Sequence, residues 1–199
     1  MKRREALKNI GFAAGFFVAT PAIINLLQSC TSEVKTWTPK FLTVNQGIVL
    51  TKMVDVILPK TTDLPSATEL NVPQFIDLYL KDILDDENKG YVTTAFDAMI
   101  AMLKPNPETH VDEITEEAYK TLLDKYMLVK GEIDQEREAN PESLVPTKSE
   151  FLNHLKWLTI NAYLTTEQIG ENVLVYDPIP TEYYCGNLQE LTGGKSYSL

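Results

Sequence analysis

The stretch Val72-Pro73-Gln74-Phe75-Ile76-Asp77-Leu78-Tyr79-Leu80-Lys81-Asp82-Ile83-Leu84 decides the fold. Its apolar residues Val72, Phe75, Ile76, Tyr79, Leu80, Ile83 and Leu84 recur every three or four positions, the spacing that gathers side chains on one face of an α-helix. Pro73 falls in the first turn, where a missing N–H costs least because the first N–H groups of a helix have no intrahelical acceptor. A helix with one apolar face has to bury that face against something. The flanking sequence supplies it.

Upstream, Leu50, Met53, Val54, Ile57 and Leu58 repeat the helical spacing until Pro59 ends it. Lys60-Thr61-Thr62-Asp63-Leu64-Pro65-Ser66-Ala67 then reads as a loop whose hydroxyl and carboxylate groups bond nearby backbone. Downstream of an Asp85-Asp86-Glu87-Asn88 turn, Val92, Ala95, Phe96, Met99 and Leu103 predict a third helix, stopped by Pro105 and Pro107. Thr115 is expected to cap a fourth, with Glu116 and Glu117 against its positive end, Ile114 stapled to Tyr119, and Leu122, Leu123 and Tyr126 on its face. Glu132 to Glu142 is strongly charged and reads as a solvated helix end or loop. Thr147-Lys148-Ser149-Glu150 is a capping box, and Phe151, Leu152, Leu155, Leu158 and Ala162 give a fifth helix its apolar face. Thr165-Thr166-Glu167-Gln168 repeats the box on a smaller scale, with Gly170 as a stop, and Val173 to Tyr176 with Pro178 and Pro180 reads as extended tail. The expected fold is all-α: a small bundle of about five helices with an irregular extended C-terminal tail, one domain over residues 43–199.

What precedes the domain has a different character. Arg3 and Arg4, followed two residues later by Leu7-Lys8, stand before a weakly hydrophobic run from Ile10 to Leu27 and match the twin-arginine export pattern. The run ends in Leu27-Gln28-Ser29-Cys30, which has the form of a lipobox with Cys30 as the lipidated residue. A plain transmembrane anchor or a buried first helix would have to accommodate Pro21 and Asn25 within the span. Residues 1–29 are therefore read as a signal peptide and residues 30–42 as a tether, making the chain an exported bacterial lipoprotein, membrane-anchored and facing the periplasm. Removing residues 1–29 takes away four cations and one carboxylate and moves the formal charge from −10 to about −13. So acidic a domain repels phosphate backbones and anionic headgroups, which excludes nucleic-acid binding and leaves the N-terminal lipid as the membrane attachment. With Cys30 acylated, Cys185 is the only other cysteine and no intramolecular disulfide framework is available.

Residues that carry catalysis are scarce. Of the two histidines, His110 lies near Asp112 and Glu113 in a loop that makes a poor metal site, and His154 lies beside an apolar stripe as a partly buried helix residue. The chain has no Cys-x-x-Cys-His, no Gly-x-Gly-x-x-Gly, no P-loop and no His-Glu-x-x-His. Cys185, in the tyrosine-rich tail, has no histidine near it in sequence and reads as structural. Asp63 and Asp77 are of a type suited to acid–base work, yet nothing singles out a pair.

The order of short motifs carries more. Ile57-Leu58-Pro59-x-Thr61-x-Asp63-x-Pro65-x-Ala67 is followed by Val72-Pro73-x-Phe75-Ile76-Asp77, then by Tyr163-Leu164-Thr165-x-Glu167 and a Tyr176-x-Pro178-x-Pro180 tail ending in Tyr184-Cys185-Gly186. From about Thr43 to Leu188 this resembles the gluconate 2-dehydrogenase subunit 3 family, in which twin-arginine signals are typical. The resemblance implies a non-catalytic small subunit of a membrane-bound sugar or sugar-acid dehydrogenase, assisting export, assembly and anchoring. It implies as partners a large flavoprotein of the glucose-methanol-choline type carrying FAD and a c-type cytochrome carrying haem c, with no cofactor on this chain. Candidate contacts for the large subunit are Leu58, Pro59, Thr61, Asp63, Pro65, Phe75, Tyr176, Pro180 and Tyr184. The alternative is a stand-alone membrane-anchored lipoprotein acting as a binding or scaffold module.

Overall fold

The computed structural model describes residues 37–128, 131–177 and 185–198. Arg3, Arg4, Cys30, Pro180 and Tyr184 lie outside the described residues. The chain divides into two units, Met1–Trp37 and Thr38–Leu199, and the described helices all belong to the second. Among the described residues there are eight helices: α1 (Val44–Ile57), α2 (Val72–Ile83), α3 (Asp86–Leu103), α4 (Glu116–Tyr126), α5 (Gln135–Ala139), α6 (Lys148–Leu164), α7 (Glu167–Asn172) and α8 (Leu188–Thr192), with a 3-10 turn at Val111–Glu113. Five of them have seven or more residues, and the all-α expectation holds. No described helix is long and apolar enough to cross a membrane.

Helices α1 and α6 form the middle of the bundle. α1 packs on α2, α3, α4 and α6, and α6 packs on α1, α2, α3, α4 and α7. Val49, Leu50, Met53 and Val54 of α1, Ile76 and Leu80 of α2, Phe96 and Met99 of α3, Tyr119 of α4 and Leu152, Leu155 and Leu158 of α6 are all buried. Phe96 and Phe151 meet edge to face, ring centres 5.2 Å apart, the geometry that the ring quadrupoles favour. Where polar groups enter this core from α1 they are satisfied. Gln46 is buried, its Oε1 accepting the Thr43 N–H at 3.0 Å and its amide donating to Asp97 Oδ1 at 2.8 Å, so one side chain closes the α1 capping box and ties α1 to α3.

Several local expectations need adjustment. Thr115 and Thr166 do occupy N-cap positions, but neither side chain bonds its helix; Thr166 instead donates its hydroxyl to the Tyr163 carbonyl at 2.8 Å. Gly170 does not stop α7, which runs to Asn172. A Cβ on Gly170 would lie 2.9 Å from Ser198 Oγ, so the glycine is there for the close passage of the C-terminal segment. That segment is less irregular than the sequence suggests: it contains α8, and Val175 and Tyr197 form a parallel bridge, Val175 N–H donating to the Ser196 carbonyl at 3.0 Å. The charged stretch after Glu132 is on the surface as expected, yet it is organised. Arg137 of α5 donates to both Glu150 carboxylate oxygens, and Lys148 pairs with Glu136 at 2.7 Å, so α5 sits over the start of α6.

Candidate functional site

The motif loop Leu58 to Ala67 is closed by its own backbone. Ala67 N–H donates to the Leu58 carbonyl at 3.1 Å, and inside that ring Thr61 N–H donates to the Leu64 carbonyl at 2.9 Å while Leu64 N–H returns to Thr61 Oγ1 at 3.0 Å. It is pinned from three sides. Tyr163 of α6 donates its phenol to the Pro65 carbonyl at 2.8 Å, Thr68 N–H donates to Asp55 of α1 at 2.8 Å, and Glu69 pairs with Lys60 while accepting the Ser66 N–H at 2.9 Å. The Lys60 ammonium beside Glu69, followed by the Ser66 N–H, holds the Glu69 carboxyl below its ordinary range.

Beneath this loop lies an open cleft of about 480 Å³ between α1, the loop and the start of α4, whose lining includes Lys52, Asp55, Val56, Lys60, Ser66 and Tyr119. Lys52 Nζ donates to three main-chain carbonyls, those of Val111, Asp112 and Ile114, the last at 3.0 Å, and thereby caps the 3-10 turn. Asp55 is engaged with Thr68, and Glu116 with Lys120 at 2.6 Å. Tyr119 differs. It is fully buried, its hydroxyl has no hydrogen-bond partner in the structure, and burial pushes its pKa up to about 12.

The structure disperses the predicted contacts. Leu58, Pro59, Thr61, Asp63 and Pro65 share the loop, with Pro59, Thr61 and Asp63 exposed and Leu58 and Pro65 half-buried. Phe75 stands on α2, 51 % exposed and stacked on Tyr79 with ring centres 6.3 Å apart, and with Leu78 and Ile83 gives α2 an exposed apolar edge. Tyr176 is exposed just beyond the bridge. Cys185, expected to be structural, is instead an exposed free thiol on the tail. His154 is exposed as a residue, its ring stacks on Trp157 at 6.0 Å, and partial burial of the imidazole lowers its pKa. No group of three or more His, Cys, Asp or Glu among the described residues is placed to hold a metal ion, so His110, Asp112 and Glu113 do not converge.

Of the two aspartates weighed for acid–base work, Asp63 is exposed and Asp77 is wholly buried. Asp77 holds the entrance to the domain. Its Oδ2 accepts the Lys40 N–H at 2.6 Å and its Oδ1 accepts those of Phe41 at 3.1 Å and Leu42 at 2.8 Å, so the last residues of the stretch read as tether are bonded to α2 just before α1 begins. Three backbone donors converging on one buried carboxylate make Asp77 a latch between α2 and the chain entering α1. Sequence reasoning passed over Tyr119 as a packing residue. The only cue was a tyrosine where phenylalanine would have filled the same core position.

A family model described as gluconate 2-dehydrogenase subunit 3 matches residues 45–181, and the chain belongs to that family. The comparison with curated proteins and the comparison with solved structures each give no match. Membership makes the chain a subunit of a multi-subunit dehydrogenase complex.

Proposed function

We propose, from membership of the gluconate 2-dehydrogenase subunit 3 family, that this chain is the accessory small subunit of a membrane-bound FAD-dependent sugar or sugar-acid dehydrogenase. It escorts the flavoprotein during export, assists its assembly and anchors the complex; hydride and electron transfer take place on the partners. The observation that carries this reading is the family match over residues 45–181. The partners are a large glucose-methanol-choline type flavoprotein holding FAD and a c-type cytochrome holding haem, and this chain binds neither cofactor.

Two physical features support the division of labour. A flavoprotein that folds around FAD before export needs a route for folded proteins, and Arg3-Arg4 on a companion subunit supplies an address it can share. An anchor has to transmit its position to the domain, and the three bonds from Asp77 to Lys40, Phe41 and Leu42 hold the chain where it enters the bundle. Lipidation of Cys30 would then tether the assembly to the membrane.

The test is gentle purification from native membranes. The expected preparation carries a flavin spectrum and a haem spectrum together with this chain, and Cys30→Ala releases the complex from the membrane. A colourless monomer in mild detergent would overturn the reading in favour of a lone lipoprotein.

A further inference from the structure

We infer that residues 134–145 are a strap pinned by the Arg137 guanidinium, which opens as a unit while the bundle stays folded and uncovers the apolar groove between α3 and the start of α6.

The strap has no anchor in the core. None of residues 134–145 is buried, and its aliphatic side chains Leu144 and Val145 are exposed. One cation holds it instead. Arg137 makes five bonds, as many as a guanidinium has N–H groups: two to the Glu150 carboxylate on α6, with Nε 2.9 Å from Oε1, and three to the carbonyls of Asn140, Ser143 and Val145. The first two dock the segment on α6, and the other three fold the residues after α5 back around the same side chain. Two smaller ties assist. Lys148 donates to Glu136 through its ammonium at 2.7 Å and its N–H at 3.3 Å, and the Thr147 hydroxyl donates to Asp134, whose other oxygen caps α5.

Exposed pairs of this kind contribute little against the conformational freedom that an ordered segment gives up. Buried apolar contacts would tie the opening of the segment to that of the bundle, and the strap lacks them. Helix α6 keeps its start when the strap leaves. Thr147 Oγ1 accepts the Glu150 N–H at 3.2 Å and Glu150 Oε2 accepts the Thr147 N–H at 3.0 Å, a capping box that is complete without any strap residue. Below the strap lies a groove of about 170 Å³, lined by Glu136 and Val145 on the strap side and by Ala98, Met99 and Met102 of α3 and Phe151 of α6. Opening takes away the wall that carries Glu136 and Val145 and gives water a path to Met99, which is buried in the closed form. The grip is electrostatic and near the surface, so ionic strength or a charge competing for Arg137 sets the balance between the covered and uncovered states of this face.

Hydrogen exchange on the full chain at about 0.05 M and about 1 M sodium chloride tests this on the unaltered protein. The hydrogen-bonded amides of Arg137, Glu138, Asn140 and Ser143 should exchange faster than those inside α1 and α6. At the higher salt they should accelerate together, by about tenfold, with the α1 and α6 amides no faster. Arg137→Gln at low salt should reproduce that acceleration with the urea midpoint of the bundle unchanged. In the same variant, peroxide oxidation of Met99, mapped by mass spectrometry, should rise about tenfold while Met53, buried in α1, serves as the unchanged reference. If the four amides exchange only together with those of α1 and α6, or if Arg137→Gln lowers the urea midpoint in step with their acceleration, the segment is part of the cooperative bundle and the inference is overturned. Faster exchange in the strap with Met99 as protected as Met53 overturns it as well, because the groove then stays covered.

Discussion

Asp77→Ala is the perturbation whose cost the structure bounds most directly. The carboxylate is buried and accepts three backbone N–H groups at 2.6, 3.1 and 2.8 Å. A hydrogen bond to a charged group is worth about 1.5–3 kcal/mol, and an orphaned buried donor costs about 1–3 kcal/mol. The Leu42 bond is buried, so the full penalty applies there; those of Lys40 and Phe41 are part-buried and water can replace some of what is lost. Together the loss comes to about 3–5 kcal/mol, a large share of the roughly 5–15 kcal/mol that holds an ordinary domain together. Asp77→Asn keeps the shape and one acceptor but loses the charge and turns an amide toward the donors, so about half that loss is expected. Urea unfolding with linear extrapolation measures the global cost, and amide exchange reports where it falls. Exchange at Lys40, Phe41 and Leu42 should accelerate by about a hundredfold, since each 1.4 kcal/mol is a factor of ten. A global loss below about 1 kcal/mol with unchanged exchange at those amides would refute the latch.

Three further outcomes are expected from other parts of the molecule. Because burial raises the Tyr119 pKa to about 12, the unfolded chain loses this proton first; the neutral phenol's contribution is complete below pH 10 and fades as pH rises toward 12, by up to about 3 kcal/mol. Ultraviolet titration of the nine tyrosines should show one that ionises only with unfolding, and nine ordinary titrations in the folded chain would count against its burial. Gly170→Ala should destabilise by about 1 kcal/mol through the 2.9 Å contact with Ser198 Oγ, despite alanine's better helix propensity, and the same change in a Ser198→Ala background should become neutral or stabilising; equal effects in both backgrounds would dismiss the contact. In co-purification with the flavoprotein, Phe75→Ala should weaken the complex at constant melting temperature, whereas Leu58→Ala, at a half-buried position, should lower the melting temperature by a few degrees first. A Phe75→Ala variant that binds normally would remove the α2 edge from the interface.

The five long helices were legible because each buries a stripe against a neighbour, and a stripe is a local pattern. Thr147 caps its helix through a box complete within four residues, as the sequence indicated, whereas the equally local Thr43 box was not read from it. Features that depend on distant partners were not legible. Gly170 looked like a helix stop because its neighbour Ser198 is 28 residues away, and the charged stretch after Glu132 looked loose because its partners, Lys148 and Glu150, sit on the next long helix. Asp77 had no visible role, as the partners of its oxygens are backbone groups and leave no residue signature. Tyr119 was invisible for a further reason: an unmet hydrogen bond is a property of surroundings, and a tyrosine in an apolar stripe reads the same whether or not its hydroxyl is paired.

The residues that made the family recognisable take on a different meaning once their contacts are known. Ala67 is buried and donates the N–H that closes the ring onto Leu58, Pro65 offers its carbonyl to Tyr163, Asp77 latches the domain entrance, and Val72 and Pro73 are buried in the first turn of α2. These positions build the shape of the loop and the angle at which the chain enters the bundle; most of their side chains are used inside the molecule. Among the described residues, the Phe75–Leu78–Ile83 edge is an exposed apolar surface open to a partner, and it is not spelled out by the Leu-Pro-x-Thr part of the pattern. The buried part of the motif therefore identifies a scaffold, and substitutions there are expected to act on folding before they act on assembly. Substitution at Phe75 separates the two, because it alters an exposed side chain while the ring, the latch and both capping boxes stay intact.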